Sequence, residues 1–335
     1  MVLVTGGTGL VGSRLLFDLV SADAPVKALY RTESKKDYVA KIFEYYSNNA
    51  QMLFDKIIWV KGDILTIPSL ENAFKDVTHV YHAAALISFD PNDFELLKKV
   101  NVEGTANIVN MALSCHVKKL CYVSTIGTIG TNFSGKMVDE KTEWTDVYAN
   151  VYARSKYDAE MEVWRAFHEG LPVVIVNPGV ILGTGFWKSG SGKFFDTANK
   201  EYSYCPPGRT GFVAVTDVCA IMIQLMNAVC TGERFILVAK NISYKEILTL
   251  ISTAINKKSP KKVLKIWQLR ILTVLDSLTS LFTNSQRKIT KITVYGLQNP
   301  KKYDASKIEK ELNYTFEEVA TTVKFCAEQF RKEHS

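Results

Sequence analysis

Short apolar runs alternate with amphipathic stretches through the first half of the chain. Runs of four to six residues rich in Val, Ile, Leu and Tyr predict strands at Val2–Thr5, Val26–Tyr30, Ile57–Lys61, His79–Ala83, Lys119–Ser124 and Val173–Asn177. Between them, apolar positions recur at helical spacing near Gly12–Ser21, Tyr38–Phe54, Ile67–Phe74, Glu95–Ser114 and Tyr152–Glu169. Strands that are apolar on both faces and separated by helices predict a parallel sheet covered on both sides. Right-handed crossovers then give a doubly wound α/β sheet, whose ligand lies beyond the carboxyl ends of the strands.

The texture changes after Pro178. Gly183–Gly192 is rich in glycine and serine, and Tyr202–Gly211 carries two prolines, so both read as loops. Helical patterns follow at Asp217–Val229, at Tyr244–Ile255 after a short strand Arg234–Val238, and at Phe316–Lys332. The expected organisation is a dinucleotide-binding body over 1–182, completed by 212–238, with a smaller, mostly helical substrate lobe from 183–211 and 239–335. Ser189-Gly190-Ser191-Gly192-Lys193-Phe194 is a false phosphate loop. Trp187 stands where the first glycine belongs and Phe194 where the magnesium-binding hydroxyl belongs, so a loop over the substrate is expected.

Val263–Phe282 is ambiguous. Leu264, Trp267, Ile271, Val274, Leu278 and Leu281 mark one helical face, with lysines gathered just before it. Such a stretch suits a helix lying on a membrane surface, or one packed over the pocket or a partner. The neutral Ser and Thr opposite favour the packed helix. No run reaches the roughly 20 uninterrupted apolar residues of a membrane span, and no basic leader precedes the first strand. A soluble, cytoplasmic protein is expected.

The 335 residues are 47% hydrophobic and carry a net charge of +7, enough for a sizeable core and a mild attraction to anions. Lysines are spread, with little aromatic interleaving, which argues against a nucleic-acid partner. Six cysteines form no C-x-x-C pair, and five histidines show no ligand spacing. Reduced core thiols and no metal are expected.

The chemistry begins at Val2-Leu3-Val4-Thr5-Gly6-Gly7-Thr8-Gly9-Leu10-Val11-Gly12, a strand entering a glycine turn and a helix. Glycine permits the tight turn and the close approach of N–H groups to a diphosphate, and the helix N-terminus attracts the same anion. Arg31 closes the second strand, nineteen residues after Gly12, where an acidic residue would select NAD. Its planar fork suits a 2′-phosphate, with Lys35 and Lys36 nearby, so NADP is expected and NAD is possible. Asp63 could accept from the adenine amino group. Tyr152 and Lys156 share a helix face four residues apart. A nearby ammonium would lower the phenol's pKa toward the working range. Ser124 and Thr125, at a strand end, offer hydroxyls for a substrate carbonyl.

With these motifs in order, the chain resembles an extended short-chain dehydrogenase/reductase with a Rossmann fold. The resemblance rests on Gly6-x-x-Gly9-x-x-Gly12, Gly62-Asp63-Ile64, His82-Ala83-Ala84, Asn101-Val102-x-Gly104-Thr105, Tyr122-Val123-Ser124-Thr125, Tyr152-x-x-Ser155-Lys156, Asn177-Pro178-Gly179 and Phe212-Val213-x-Val215-x-Asp217-Val218. It implies Tyr152 as general acid/base, Lys156 as its modifier and ribose ligand, and Thr125, not Ser124, as polariser. It places Gly6, Thr8, Gly9, Leu10, Val11, Gly12, Arg31, Asp63, Ile64, Ala83, Ala84, Ala85, Pro178, Gly179 and Val180 against the cofactor. Asn101 either orders the site or serves a cap or the core. The family also implies a homodimer through Glu95–Ser114 and Tyr152–Glu169.

Nucleotide-sugar epimerases and dehydratases usually carry Arg-Asp before the aromatic of the Phe-x-x-Val-x-Asp motif, where this chain has Thr210-Gly211. The pattern is more similar to dihydroflavonol 4-reductase and 3β-hydroxysteroid dehydrogenase relatives, which act on bulky apolar ketones or alcohols. Phe186, Trp187, Phe194, Phe195 and Tyr204 fit such a substrate, or simply a core. The expected activity is an NADP-dependent interconversion of a ketone and a secondary alcohol. The alternatives are an epimerase or dehydratase with retained NAD(P), or a non-catalytic dinucleotide sensor.

Overall fold

The computed structural model describes residues 1–131, 135–146, 149–283 and 291–334. The strands are β1 (Val2–Thr5), β2 (Val26–Tyr30), β3 (Ile58–Lys61), β4 (His79–His82), β5 (Lys119–Val123), β6 (Val173–Pro178), β7 (Val180–Leu182), β8 (Tyr204–Cys205), β9 (Arg209–Ala214), β10 (Glu233–Leu237), β11 (Lys240–Ser243) and β12 (Lys262–Val263). The helices up to the middle of the chain are α1 (Leu10–Ser21), α2 (Glu33–Glu44), α3 (Ala50–Asp55), α4 (Ile67–Phe74), α5 (Phe94–Leu97), α6 (Gly104–Ser114) and α7 (Val151–His168). They are followed by α8 (Lys193–Asn199), α9 (Val215–Asn227), α10 (Tyr244–Ala254), α11 (Ile266–Thr283), α12 (Lys291–Gln298), α13 (Ser306–Leu312) and α14 (Val319–His334).

Among the described residues, seven strands form one parallel sheet in the order β10-β6-β5-β4-β1-β2-β3. Val4 pairs with Ala28 on one side and Tyr81 on the other. The order reverses at β1, so the carboxyl ends of β1 and β4 open a crevice there. Each face of the sheet is buried. Leu15, Leu16, Val218 and Met222 fill one side, and Leu70, Ile108, Val109 and Val163 fill the other. This is the Rossmann-type doubly wound fold, and it explains why the strand sequences are apolar throughout.

Two departures from the expected elements stand out. The helix expected over Tyr38–Phe54 is two helices, α2 and α3. Ser47-Asn48-Asn49 interrupts it, and the Ser47 hydroxyl accepts from Asn49 N–H at 3.0 Å, a local bond that competes with the helix. Val180–Leu182, Arg209–Ala214 and Lys240–Ser243 form a second, three-stranded sheet, β11-β9-β7, although the sequence predicts loops over much of Gly183–Gly211. That sheet joins α8, α10 and α14 in a separate core of Trp187, Phe195, Phe212, Ile247, Ile251 and Phe330.

Candidate active site

β1 ends at Thr5, and the chain turns at Gly6 with φ +71°, a region that favours glycine. A Cβ at Gly6 would stand 2.6 Å from the Ala83 carbonyl carbon and from Ala84 N. At Gly12 a Cβ would meet Gly6 O at 2.1 Å. Thr8, Gly9, Leu10 and Val11 lie between them, and Gly9 caps α1 without a side-chain bond, leaving the first-turn N–H groups to another acceptor. These features fit a diphosphate at the turn.

The crevice floor is fixed from below. His82 is buried, with Nδ1 2.6 Å from Thr5 Oγ1 and Nε2 2.9 Å from Thr105 Oγ1. Burial pulls its pKa down to about 3, so the ring is neutral and ties β1 to β4 and α6. Beyond Ala83, Ala84 and Ala85, Asn101 accepts from Leu86 N–H at 2.7 Å and donates to Leu86 O at 3.0 Å. Its amide also donates to Ser155 Oγ at 2.9 Å. Asn101 sits in a π-helical segment, Lys98–Glu103, and joins the 84–86 segment to α7. Asn101 is itself buried, so it belongs to the core as well as tying these segments together.

At the adenosine end, an open cleft of about 280 Å³ is lined by Arg31, Lys61, Gly62, Asp63, Thr66 and Ser69. Arg31 is 58% exposed, with Nη1 3.6 Å from Asp63 Oδ2. Asp63 also accepts from Leu65 N–H at 3.0 Å, and Ile64 is buried behind it. Lys36, by contrast, is held by Glu33 at 2.6 Å and is not a free cation.

At the other end, Pro178 closes β6 opposite Leu237, and Gly179 N–H donates to Leu237 O at 3.0 Å. Val180 begins β7 and is half-buried. A Cβ at Gly179 would meet Gly211 O at 2.4 Å, and one at Gly211 would meet Val238 Cγ2 at 2.5 Å. Val238 therefore fills the space that a side chain at 211 would need.

Tyr152 lies in the first turn of α7, capped by Asn150 accepting from Ala153 N–H at 2.8 Å. Gly127, in the turn after Thr125, packs on α7, where a Cβ would stand in ordinary contact with Ala153 Cβ at 3.4 Å. Thr125 is half-buried and accepts from Gly127 N–H at 3.2 Å, leaving its own hydroxyl proton available. Ser124 is buried and donates to Glu160 Oε2 at 2.5 Å. Ser124 is thus taken up by Glu160, with Thr128 3.3 Å away, whereas among the described residues the Thr125 hydroxyl is not part of that buried network.

The structure gives the Lys156 ammonium partners other than Tyr152. Lys156 Nζ donates to Tyr122 Oη at 2.6 Å and Val123 O at 2.9 Å, and it lies 4.2 Å from the Tyr122 ring centroid. Burial pulls this ammonium down to about 7. Tyr152 meets no compensating cation, and burial pushes its phenol up to about 12. Helical spacing set the two residues one turn apart on the same face. The acceptors at the end of β5 then decided where the long lysine points.

Glu160 was not singled out from the sequence, although it continues the Tyr152, Lys156 face at the next i+4 step. Buried completely, it accepts from Ser124, from Thr128 at 2.8 Å and from Asn177 at 3.1 Å, and Arg234 approaches at 3.4 Å. It binds β5, β6, β10 and α7 into one unit beneath Thr125.

The aromatic pocket expected from the loops is not assembled. Trp187 and Phe195 pack on Phe330 in the core beside the three-stranded sheet, and Trp187 Nε1 donates to Glu333 at 2.7 Å. Phe186 lies edge-on to Tyr38 of α2, Phe194 packs on Phe212, and Tyr204 is exposed. The Ser189–Phe194 segment is a short 3-10 turn leading into α8, with Ser191 donating to Ile181 O. The ring placed against Tyr152 is Phe89, 5.6 Å between centroids.

Nor does the expected apolar face of α11 cover a pocket. Leu269 and Thr273 face the protein, whereas Trp267, Ile271 and Val274 are exposed. Leu278 and Leu281 have side chains outside the described residues. No described helix is long and apolar enough to cross a membrane. Among the described residues, no group of three or more His, Cys, Asp or Glu could hold a metal.

A glycine turn at the reversal point of a parallel sheet, with Tyr152 and Thr125 at its carboxyl edge, defines a nicotinamide-dinucleotide enzyme acting on CH–OH groups. The family model described as Male sterility protein, an NAD-binding family, matches residues 4–205, and the chain belongs to the extended short-chain dehydrogenases/reductases of the epimerase/dehydratase superfamily. It is 31% identical over 79% of its length, and 75% of the other's, to "Putative dihydroflavonol 4-reductase" of Synechocystis. It is 28% identical to Sterol demethylase protein B of Methylococcus capsulatus, over 77% of this chain and 76% of that one. Among solved structures, that of gox2253 superposes with a TM-score of 0.82 at 26% identity, covering 99% of this chain and 98% of the other.

Proposed function

We propose that the protein is an NADP(H)-dependent reductase that interconverts a ketone and a secondary alcohol on a bulky, largely apolar small molecule. The observation that carries this reading is geometric: the turn that follows Thr125 packs through Gly127 against Ala153, which sets the Thr125 hydroxyl beside the first turn of α7 that bears Tyr152. A neutral phenol is a proton donor, the role a carbonyl reduction requires at neutral pH. When bound, the dinucleotide supplies the hydride. Thr125 donates to the carbonyl oxygen, Tyr152 delivers the proton to that oxygen, and Lys156 provides a movable donor at the end of β5. Gly6, Gly9 and Gly12 seat the diphosphate, and Ala83, Ala84 and Ala85 flank it.

NADP is favoured by Arg31. Its fork stands at the end of β2 with no contact to Asp63 shorter than 3.6 Å, so its donors are open to a 2′-phosphate. An apolar substrate is favoured by the exposed Phe89 ring against Tyr152, and by Gly211 with Val238 packed into the place of the epimerase acid. The reductases among the relatives agree with this. UDP-glucose 4-epimerase of Vibrio cholerae, 24% identical over 79% of this chain and 79% of that protein, supports the rival reading. We place the substrate between the dinucleotide-binding body and the lobe built from 183–211 and 239–335. Exposed Leu96 and Met161, on the α5 and α7 surfaces, support a homodimer through those helices.

Two measurements test the proposal. With NADPH present, hydrophobic ketones should raise the melting temperature while UDP- and dTDP-sugars should not. Tyr152→Phe should lower turnover on the order of a hundredfold or more, with cofactor affinity nearly intact. Stabilisation by a nucleotide sugar at micromolar concentration, or substantial activity in the phenylalanine variant, overturns it.

A further inference from the structure

From Lys257 to Leu275 the chain holds Lys257, Lys258, Lys261, Lys262, Lys265 and Arg270 and no acidic residue. All six cations are exposed. The same segment leads into α11, whose orientation inverts the usual rule for a surface helix. Leu269 is 3% exposed and Thr273 is turned inward, its hydroxyl donating to Leu269 O at 2.9 Å. The large apolar residues point the other way: Trp267 is 59% and Val274 60% exposed, with Ile271 and Leu275 half bare beside them. Positions 267, 271, 274 and 275 follow i, i+4, i+7 and i+8, which makes one continuous stripe. Val263, on β12 at the basic end, is exposed as well, and Lys262 lies 5.8 Å from the Tyr204 ring centroid.

An apolar stripe of this kind on a water-soluble surface marks an interaction site. Its occupant must accept Trp, Ile, Val and Leu at the centre and meet five lysines at one end, with Arg270 beside the stripe and Asp276 the single acid of α11. A second copy of this chain fits poorly, because a two-fold contact through α11 would bring like charges together. An anionic bilayer satisfies both demands. The apolar side chains enter the acyl boundary, Trp267 takes the interfacial level suited to its ring, and the lysines reach the headgroups on their alkyl stems. The helix then lies in the membrane plane, consistent with no described helix being able to span it. We propose that α11 and the basic segment before it dock the protein on a membrane surface rich in anionic phospholipid. This inference is independent of the reductase reading.

The test uses the full chain with NADPH bound and large unilamellar vesicles of phosphatidylcholine alone or mixed with phosphatidylglycerol. Co-sedimentation should be at least tenfold stronger on the anionic vesicles and should weaken sharply as salt screens the lysines. Tryptophan emission should shift to the blue on binding, and Trp267→Phe should remove that shift. The double variant Ile271→Glu, Val274→Glu alters only exposed positions. It should keep the parent melting temperature and NADPH affinity and lose at least tenfold in vesicle binding. Equal partition onto the two vesicle types overturns the proposal, as does undiminished binding by the double variant. If the parent ignores both vesicles and the double variant instead changes its sedimentation from dimer to monomer, the stripe is a protein interface and the lipid assignment is wrong.

Discussion

Replacing Lys156 by methionine should stabilise the cofactor-free protein near neutral pH, by an amount that shrinks as the pH rises. The ammonium is buried, and its pKa falls from 10.5 in the unfolded chain to about 7 in the folded one. Between these values the unfolded state binds more protons, so the native protein gains stability as pH rises through this window. Below about 7 the full cost of burying the charge is present. At about 1.4 kcal/mol per pH unit, that interval sets a ceiling of about 5 kcal/mol. The substitution also strips a donor from Tyr122 Oη and Val123 O, costing about 1–3 kcal/mol for each group left unsatisfied. Tyr122 keeps Thr105 as a partner, which limits that loss. A net gain of about 1–2 kcal/mol remains, or roughly 1.5–3 °C in a chain of this size. Thermal unfolding followed by circular dichroism at about pH 6.5, 8 and 9.5 measures it, and the gain should vanish at the highest pH. A variant less stable than the parent at every pH, or a difference that does not change with pH, refutes the reasoning. Such a gain accompanied by weaker cofactor binding would mark the charged lysine as a functional compromise.

The remaining predictions concern the rest of the site. Arg31→Asp should narrow the preference for NADPH over NADH at least tenfold by fluorescence titration, about 1.4 kcal/mol; equal affinities for the two cofactors in the parent would defeat the assignment. Glu160→Ala removes the shared acceptor of Ser124, Thr128 and Asn177 and leaves Arg234 facing Glu160's former position, so urea unfolding should show a loss of about 3–5 kcal/mol. A loss below about 1 kcal/mol would mean the network is not a structural unit. Gly211→Asp places a Cβ 2.5 Å from Val238 Cγ2 and should cost about 1–3 kcal/mol, read as a lower melting temperature. An unchanged melting temperature would show that Val238 gives way.

What the amino-acid pattern determined by itself was local. The apolar runs specified the strands of the large sheet, and Gly6 and Gly12 marked a turn where any side chain would strike backbone. Tyr152 and Lys156 shared a face because helical spacing requires it. The same spacing reached Glu160, and the signal was there to be seen. Tertiary structure decided everything that depended on a distant partner. Lys156 turned to Tyr122 and the Val123 carbonyl because those acceptors, on another element, lie within reach of a four-carbon stem. Trp187 and Phe195 became core because Phe330, far along the chain, completes their packing. The helix expected over Tyr38–Phe54 split where a serine hydroxyl offered Asn49 N–H a nearer acceptor. Periodicity could establish that α11 has an apolar stripe, but not which side of the helix the protein occupies. Helical spacing is a property of one segment, whereas burial belongs to the pair of surfaces that meet, and in α11 the surface that meets the protein is the one carrying Leu269 and Thr273.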